Sequence, residues 1–254
     1  MSNQSTDEFV FLPLGGSGEI GMNLNAYGYG PADERAWIIM DIGVTFGDAA
    51  TPGVDVIMPD PSYLEGETLL GIVLTHAHED HIGAIGHLWR RLRAPIYCTP
   101  FTAYLVKDKL REAGLGDEVE LNIVPMSGAF DIGPFHLRLV TLTHSIPEPN
   151  GVVVETPLGV VMHTGDWKID PDPMIGSPTD SVALQEIGRR GVLAMICDST
   201  NALVEGTSGS EADVRKELIK LVGELRGKVV VACFASNVAR LSSVIEAARA
   251  TGRH

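Results

Sequence analysis

The sequence has few of the features that mark membrane, secreted or disulfide-linked proteins. No run among its 254 residues is long and apolar enough to cross a bilayer. The first eight residues are polar and acidic, which is not the composition of a signal peptide. Its three cysteines, Cys98, Cys197 and Cys233, lie far apart in apolar runs, and we interpret them as buried reduced thiols. We therefore expect a cytoplasmic protein with no membrane partner.

Basic residues are scarce as well. The chain has 19 Lys and Arg against 33 Asp and Glu, a net charge of -14. Proteins that bind nucleic acids usually present a basic patch, because phosphate contacts come from Lys and Arg. The one dense basic run, Trp89-Arg90-Arg91-Leu92-Arg93, is explained equally well by a solvated helix face. Charge alone therefore argues against a nucleic-acid partner unless bound cations offset it.

Glycine, proline and apolar residues, by contrast, are plentiful. The chain has 28 Gly and 15 Pro, and 44% of its residues are hydrophobic. This composition predicts many tight turns around one large core or a domain and a half, as in a layered α/β protein.

A histidine-rich segment follows one predicted strand. The apolar run Gly71-Ile72-Val73-Leu74 leads into Thr75-His76-Ala77-His78-Glu79-Asp80-His81, which has the pattern H-x-H-x-D-H. A buried strand that ends in imidazoles and a carboxylate places them at the edge of a sheet, and zinc accepts both ligand types. A solvated polar turn would suit one histidine better than three. We predict that one metal ion is bound by His76 and His78 and a second by Asp80 and His81.

Three further polar residues follow predicted strands. His144 comes after the strand 135–141, and Asp166 comes after a hairpin formed by 152–155 and 160–164. Each is unremarkable alone, but a layered fold can bring strand ends together, so His144 can complete the first metal site and Asp166 can bridge both. Asp41 ends the strand 36–40 and either supports the site through hydrogen bonds or forms a turn.

A glycine-rich segment near the start admits two interpretations. Gly16-Ser17-Gly18-Glu19-Ile20-Gly21 matches G-x-G-x-x-G, and Asp41 follows about 20 residues later, as a dinucleotide fingerprint requires. That fingerprint also needs a helix to begin at the last glycines. Residues 22–31 instead alternate and contain helix breakers. We therefore predict a tight connection beside the metal site rather than a dinucleotide site.

The last part of the chain reads as the beginning of a second domain. Residues 202–209 have a flexible composition, and a helix is predicted from 210 to about 225. An apolar strand over 228–234 and a helix over 238–250 would follow as a βα unit, whose buried strand requires parallel neighbours. The predicted domains are 1–208 and 209–254, the second one truncated, so we expect this chain to be an N-terminal fragment.

The combined motifs resemble ribonuclease J, a family in the β-CASP branch of the metallo-β-lactamase superfamily. The resemblance covers nearly the whole chain. It is carried by the segments Leu14-Gly15-Gly16-Ser17-Gly18-Glu19-Ile20-Gly21-Met22-Asn23, Asp41-Ile42-Gly43, Gly53-Val54-Asp55, Pro59-Asp60-Pro61-Ser62-Tyr63-Leu64, Leu74 to Ala84, Cys197-Asp198-Ser199-Thr200-Asn201 and Phe234-Ala235-Ser236-Asn237 with Arg240.

This resemblance implies an αββα sandwich, incomplete here, followed by the start of a β-CASP α/β domain. It implies a two-zinc ribonuclease, with manganese or magnesium as alternatives, that acts in RNA processing and decay. Such an enzyme cuts single-stranded RNA as a 5′→3′ exonuclease favouring a 5′-monophosphate and as an endonuclease. One ion would be held by His76, His78 and His144 and the other by Asp80 and His81, with Asp166 as the bridge; Asp80, His81 and Asp166 would act in catalysis, Asp41 and Asp198 would support the ligands, and Ser236 and Asn237 would seat the 5′ phosphate.

The same resemblance implies parts that follow His254. They include a histidine that completes the second metal site and a region for dimerisation, so the fragment is expected to show weak or no activity. We also expect a homodimer in the whole protein and contacts with other RNA-decay proteins. Two alternatives stay open at this point: a thioesterase or lactamase-like hydrolase on the same fold, and a scaffold without catalysis.

Overall fold

The computed structural model describes residues 6–254. In chain order its strands and helices are β1 (Glu8–Gly15), β2 (Leu24–Gly30), β3 (Ala36–Met40), β4 (Thr45–Phe46), β5 (Val56–Ile57), β6 (Thr68–Val73), α1 (Glu79–Ile82), α2 (Ile85–Leu92), β7 (Ile96–Cys98), α3 (Pro100–Glu112), β8 (Leu121–Ile123), β9 (Ala129–Ile132), β10 (Phe135–Thr141), β11 (Asn150–Thr156), β12 (Gly159–His163), α4 (Ser181–Arg190), β13 (Ala194–Ile196), α5 (Glu211–Glu224) and α6 (Val238–Ala250).

Two mixed sheets form the centre of the molecule. The first has the order β1-β2-β3-β6-β7-β8, and the second has the order β13-β12-β11-β10-β9. Strands β3, β6, β7 and β8 run parallel to one another. In the second sheet β11 runs antiparallel to both β10 and β12, so β10 and β12 point in the same direction.

Three apolar layers hold the sheets and helices together. Between the sheets, residues such as Ile38 and Val73 of the first sheet pack with Phe135 and Val152 of the second. A larger cluster joins the outer face of the first sheet to α2 and α3, and a small one joins the second sheet to α4. Alternate residues of β3 belong to opposite layers, since side chains alternate across a strand. The predicted αββα arrangement is thereby confirmed.

The predicted strand over 228–234 is wrong. These residues form no strand, and Val230 and Phe234 are each 84% exposed. A strand needs a neighbour for its backbone hydrogen bonds, and within residues 6–254 no strand pairs with this segment. The same segment carries Cys233, which is exposed rather than buried as predicted, whereas Cys98 is buried and Cys197 is partly buried.

Helices α5 and α6 are linked to the second sheet by polar contacts. Asp170, buried after β12, accepts a hydrogen bond from the backbone N–H of Glu211 at 3.0 Å and pairs with Lys168 at 2.9 Å. The Glu211 carboxylate in turn pairs with Arg240 of α6. The predicted boundary at residue 208 falls between β13 and α5 and stays a prediction. None of the helices in residues 6–254 has the length and apolar character needed to cross a membrane.

Candidate metal centre

The predicted ligands converge at one edge of the sandwich. His76 and His78 follow β6, and Asp80 and His81 lie on the short helix α1. His144 follows β10, and Asp166 follows β12. Because β10 and β12 point the same way, their carboxyl ends meet the end of β6 across the gap between the sheets. The fold thus brings together residues that are up to 90 positions apart in sequence.

The ligand atoms form two groups that share one carboxylate. In the first group the atoms lie within 4.8 Å of one another, and its members are His76, His78, His144 and Asp166. The second group meets the same limit and consists of Asp80, His81 and Asp166. Three imidazoles with a carboxylate are a donor set that zinc accepts, and a carboxylate has two oxygens with which to bridge two ions. The residues present therefore fit two divalent ions, although their role as ligands stays a prediction.

Two imidazole nitrogens of the first group lie within hydrogen-bond distance of the same nitrogen of His78. Nε2 of His76 and Nε2 of His144 both lie 3.1 Å from Nδ1 of His78. One nitrogen has a single hydrogen or a single lone pair, so these contacts cannot all be good hydrogen bonds. A cation placed among the three nitrogens would be bound by each of them, which fits the metal interpretation.

Most of these groups favour the protonation state that binds metal. Burial lowers the pKa of His76 well below its usual value, and neighbouring histidines lower it further. Burial likewise lowers the pKa of His144 to about 4. For Asp166 burial acts upward, but the hydrogen bond to His81 and the nearby histidine charges bring its pKa down to about 2. Neutral imidazole and ionised carboxylate are the metal-binding forms of these side chains.

His81 behaves differently because carboxylates surround it. Its Nε2 lies 3.2 Å from Asp166 and 3.5 Å from Asp80, and its Nδ1 lies 2.7 Å from Asp41. Burial lowers its pKa, but these carboxylates outweigh burial and raise the pKa well above the usual value. A metal ion at Nε2 would therefore displace a proton from His81.

Asp41 forms hydrogen bonds to this part of the site. It is fully buried and has a φ of 62°, a left-handed conformation that Asp tolerates better than most residues. Its carboxylate accepts hydrogen bonds from the backbone N–H of Thr75 at 2.8 Å and from the Thr75 hydroxyl. The Thr75 hydroxyl also lies 3.0 Å from Nδ1 of His76. Asp41 thus contacts both His81 and the segment that carries His76, and its role in supporting metal ligands stays a prediction.

We expect Asp41→Asn to weaken metal binding while the fold persists. Asparagine has the same shape and also tolerates a positive φ, but it cannot supply the negative charge that stabilises the His81 N–H. Loss of such a supporting contact typically lowers metal affinity by about 10- to 100-fold. Competition with a chelator measures that affinity, and Asp48→Asn on an exposed loop is the matched control. Equal affinities for Asp41→Asn and the unaltered protein would contradict this role.

Of the other predicted residues, Ser236 contacts a candidate ligand, because its backbone hydrogen-bonds to His78 and acts to raise the pKa of that ring. The Asp198 and Asn237 side chains lie near the centre without such a contact within residues 6–254. Asp198 borders a cavity beside the second group of ligands, but its carboxylate accepts from the N–H of Thr200 at 2.8 Å, and within residues 6–254 it has no hydrogen bond to a ligand residue. The Asn237 side chain caps α6 by accepting from the N–H of Arg240 at 2.8 Å. The start of α6 does reach the centre, because the N–H of Ala239 donates to the Ser145 carbonyl at 3.1 Å. For Ser236 and Asn237 the role in binding a phosphate stays a prediction.

A cavity of about 760 Å³ opens beside the second group of ligands. The glycine-rich turn forms one wall, as predicted, and β13 with the segment after it forms another. Asn25 and His163, which the sequence did not single out, also belong here, together with Asn23 from the end of the glycine-rich segment. Asn23 donates to the Asp80 carbonyl at 3.0 Å and lies 3.2 Å from Nε2 of His81. The available signal was Asn25 among the mostly apolar residues of strand β2, with Asn23 just before that strand.

Known proteins match the chain at three levels. The family described as the metallo-beta-lactamase superfamily matches residues 29–223. The ribonuclease J of Sinorhizobium meliloti is 48% identical over 249 residues, which are 97% of this chain and 44% of that protein. The ribonuclease J of Thermus thermophilus is 38% identical over 256 residues, again 97% and 44%. A protein of unknown function from Enterococcus faecalis superposes with a TM-score of 0.64 at 17% identity, over 94% of this chain and 63% of that one, so it shows the fold alone. The chain spans less than half the length of these two curated relatives.

Proposed function

The chain belongs to the metallo-β-lactamase superfamily, and from that premise we propose that it is a metal-dependent ribonuclease that hydrolyses phosphodiester bonds of single-stranded RNA. The observation that carries the hydrolytic part is the pair of ligand groups that share Asp166 beside an open cavity. Its similarity to ribonuclease J over 97% of its length supports RNA as the substrate.

The chain's own residues have distinct parts in this reaction. Bound divalent ions would lower the pKa of a water and offset the charge of a phosphate. Asp166 lies where its two oxygens can serve both ion sites. The Asp80 side chain is 32% exposed, more than any imidazole of the motif, so it can orient the attacking water or take its proton. The Asp41 carboxylate hydrogen-bonds to Nδ1 of His81, on the side of the ring away from the second ion site.

The acidity of the chain is compatible with an RNA substrate on this proposal. The basic run on α2 is not a free patch, since Arg90 pairs with Glu118 at 2.9 Å and Arg91 pairs with Asp60 and Glu65. Phosphate attraction would come from the ions at the centre, and those ions also offset the carboxylates of Asp80 and Asp166. This is why a net charge of -14 does not exclude an RNA substrate.

Finer properties are proposed from the similarity to ribonuclease J alone. They are a 5′→3′ exonuclease activity that favours a 5′-monophosphate, an additional endonuclease activity, a role in RNA processing and decay in the cytoplasm, a homodimer, and contacts with other RNA-decay proteins. Zinc is the proposed metal for the first group, because three imidazoles and one carboxylate suit it. Among residues 6–254 the second group offers only three protein ligands, and it is proposed to bind its ion more weakly.

The test is hydrolysis of a single-stranded RNA by the protein purified at its natural length and loaded with zinc or manganese. We expect cleavage of the RNA, faster with a 5′-monophosphate than with a 5′-triphosphate. Removal of metal with a chelator should reduce the rate by roughly 10³-fold, since metal ions contribute several kcal/mol to such reactions, and added metal should restore it. A thioester substrate serves as the comparison. Turnover of the thioester with no RNA cleavage would favour the alternative hydrolase, and no turnover of either would favour a scaffold.

A further inference from the structure

The space between the two sheets becomes polar where it meets the cavity. Asn25 and Tyr27 lie on β2 and His163 ends β12, and all three face the interior between the sheets. Tyr27 is fully buried, whereas Asn25 is 7% exposed and His163 is 4% exposed. Asn25 and His163 border the cavity together with Asp80, His81 and Asp166. Two nearly buried polar side chains thus lie beside the candidate metal centre without belonging to its ligand groups.

Tyr27 determines which nitrogen of His163 carries hydrogen. The Tyr27 hydroxyl lies 2.8 Å from Nδ1 of His163, and within residues 6–254 it has no other hydrogen-bond partner. Burial and the charge of Asp41 raise the pKa of Tyr27, so it stays protonated. If Nδ1 carried the hydrogen, the buried hydroxyl would have no acceptor, which is unfavourable. The hydroxyl therefore donates to Nδ1, and the hydrogen of His163 is on Nε2.

Nε2 of His163 and the Asn25 side chain are available to a ligand. Within the described part of the chain neither group has a hydrogen-bond partner. Neither is among the fully buried polar atoms that lack a partner, so both keep access to the cavity. Burial lowers the pKa of His163 to about 4, so the ring is a neutral donor. A cationic donor here would repel ions held by Asp80 and Asp166, but a neutral one does not. The Asp80 and Asp166 carboxylates only accept hydrogen bonds, so they cannot pair with an anionic oxygen of a ligand. The His163 N–H and the Asn25 amide are donors and can do so.

We propose that the Nε2–H of His163 and the amide of Asn25 form a donor pair that holds an anionic phosphoryl oxygen of the substrate at the metal centre. This inference rests on the proposed function for the identity of the substrate as RNA. The pair is a preorganised anion site, because Tyr27 fixes the His163 tautomer and both side chains are held by strands of opposite sheets. Such donors are most effective where charge develops in the transition state.

Four variants test the pair by hydrolysis. His163→Leu removes the donor and is expected to lower kcat/KM for RNA roughly 100-fold at unchanged metal per chain. His163→Gln places an amide N–H at a similar reach and should restore most of that loss. Asn25→Asp keeps the shape but replaces a donor by an anion, so its loss should exceed that of Asn25→Ala. Thermal unfolding shows whether each variant is folded. An unaltered kcat/KM in a folded His163→Leu protein would overturn the proposal.

A measurement that needs no turnover separates this inference from the proposed function. In the zinc-loaded protein with ¹⁵N-labelled histidine, we expect the His163 signals to show hydrogen on Nε2, and His163→Gln identifies them. Dimethyl phosphate should shift the Nε2 signal in the unaltered protein and not in Asn25→Asp. Hydrogen on Nδ1, or an Nε2 signal that dimethyl phosphate does not move, would overturn the donor pair. If the unaltered protein cleaves no RNA, the proposed function fails, and this titration still decides whether a phosphoryl site exists.

Discussion

Replacement of Asp166 by alanine is expected to weaken binding at both ion sites and to lower hydrolysis by roughly 10³-fold, because the ions contribute several kcal/mol to the reaction. Asp166 is the one residue that both ligand groups contain among residues 6–254. It also lies 3.2 Å from Nε2 of His81 and 3.7 Å from Nε2 of His144, one residue of each group. Its removal therefore takes a ligand from each ion and one carboxylate from beside His81.

Variants that remove a ligand of one group only are expected to behave differently from Asp166→Ala. His78→Ala should lower occupancy of the first site only, and Asp80→Ala should lower occupancy of the second only. Asp172→Ala is the matched control, since Asp172 lies in the loop after β12 but has an exposed side chain. Metal per chain, determined by elemental analysis after gel filtration, distinguishes these outcomes. If Asp166→Ala keeps as much metal as Asp172→Ala, the carboxylate does not bridge the two groups.

The sequence indicated which residues come together at the candidate centre because its signal is local. H-x-H-x-D-H lies in one segment, and a single strand end is enough to place it at an edge. His144 and Asp166 needed only the assumption that strand ends meet, which the parallel orientation of β10 and β12 satisfies. The boundaries of β3, β10 and α6 also coincide with the predicted ranges, since their apolar patterns are unambiguous.

The sequence was a poor guide where a residue's role depends on distant partners. Residues 228–234 have the composition of a buried strand but are not paired with one. His163 lies in an apolar hairpin, and only the approach of Tyr27, 136 positions away, makes it a fixed donor. Asp41 was ambiguous for the same reason, because its partner Thr75 follows another strand and its partner His81 lies on a helix. Spacing along the chain cannot report such contacts.

Gly43→Ala is expected to disable the centre without altering any ligand. The segment 41–44 runs directly against α1: the N–H of Ile42 donates to the His81 carbonyl at 2.7 Å, and the N–H of Val44 donates to the Glu79 carbonyl at 3.1 Å. A Cβ on Gly43 would lie 1.6 Å from the Asp80 carbonyl oxygen and 2.7 Å from the His81 nitrogen. Both obstacles are backbone atoms, so α1 itself would have to move.

The displacement would carry Asp80 and His81 away from Asp166. Overpacking of this kind costs about 3 kcal/mol of the free energy of unfolding. A shift of about 1 Å in reacting groups can lower a rate by roughly 10²-fold, and we expect that loss for RNA hydrolysis together with weaker binding at the second ion site. Gly188→Ala in α4 is the control, because nothing lies within 4 Å of its added Cβ. Alanine there should stabilise the helix by about 0.5–1 kcal/mol. Denaturant unfolding and metal per chain check both variants, and a Gly43→Ala protein as stable and as metal-rich as Gly188→Ala would show that α1 does not depend on this contact.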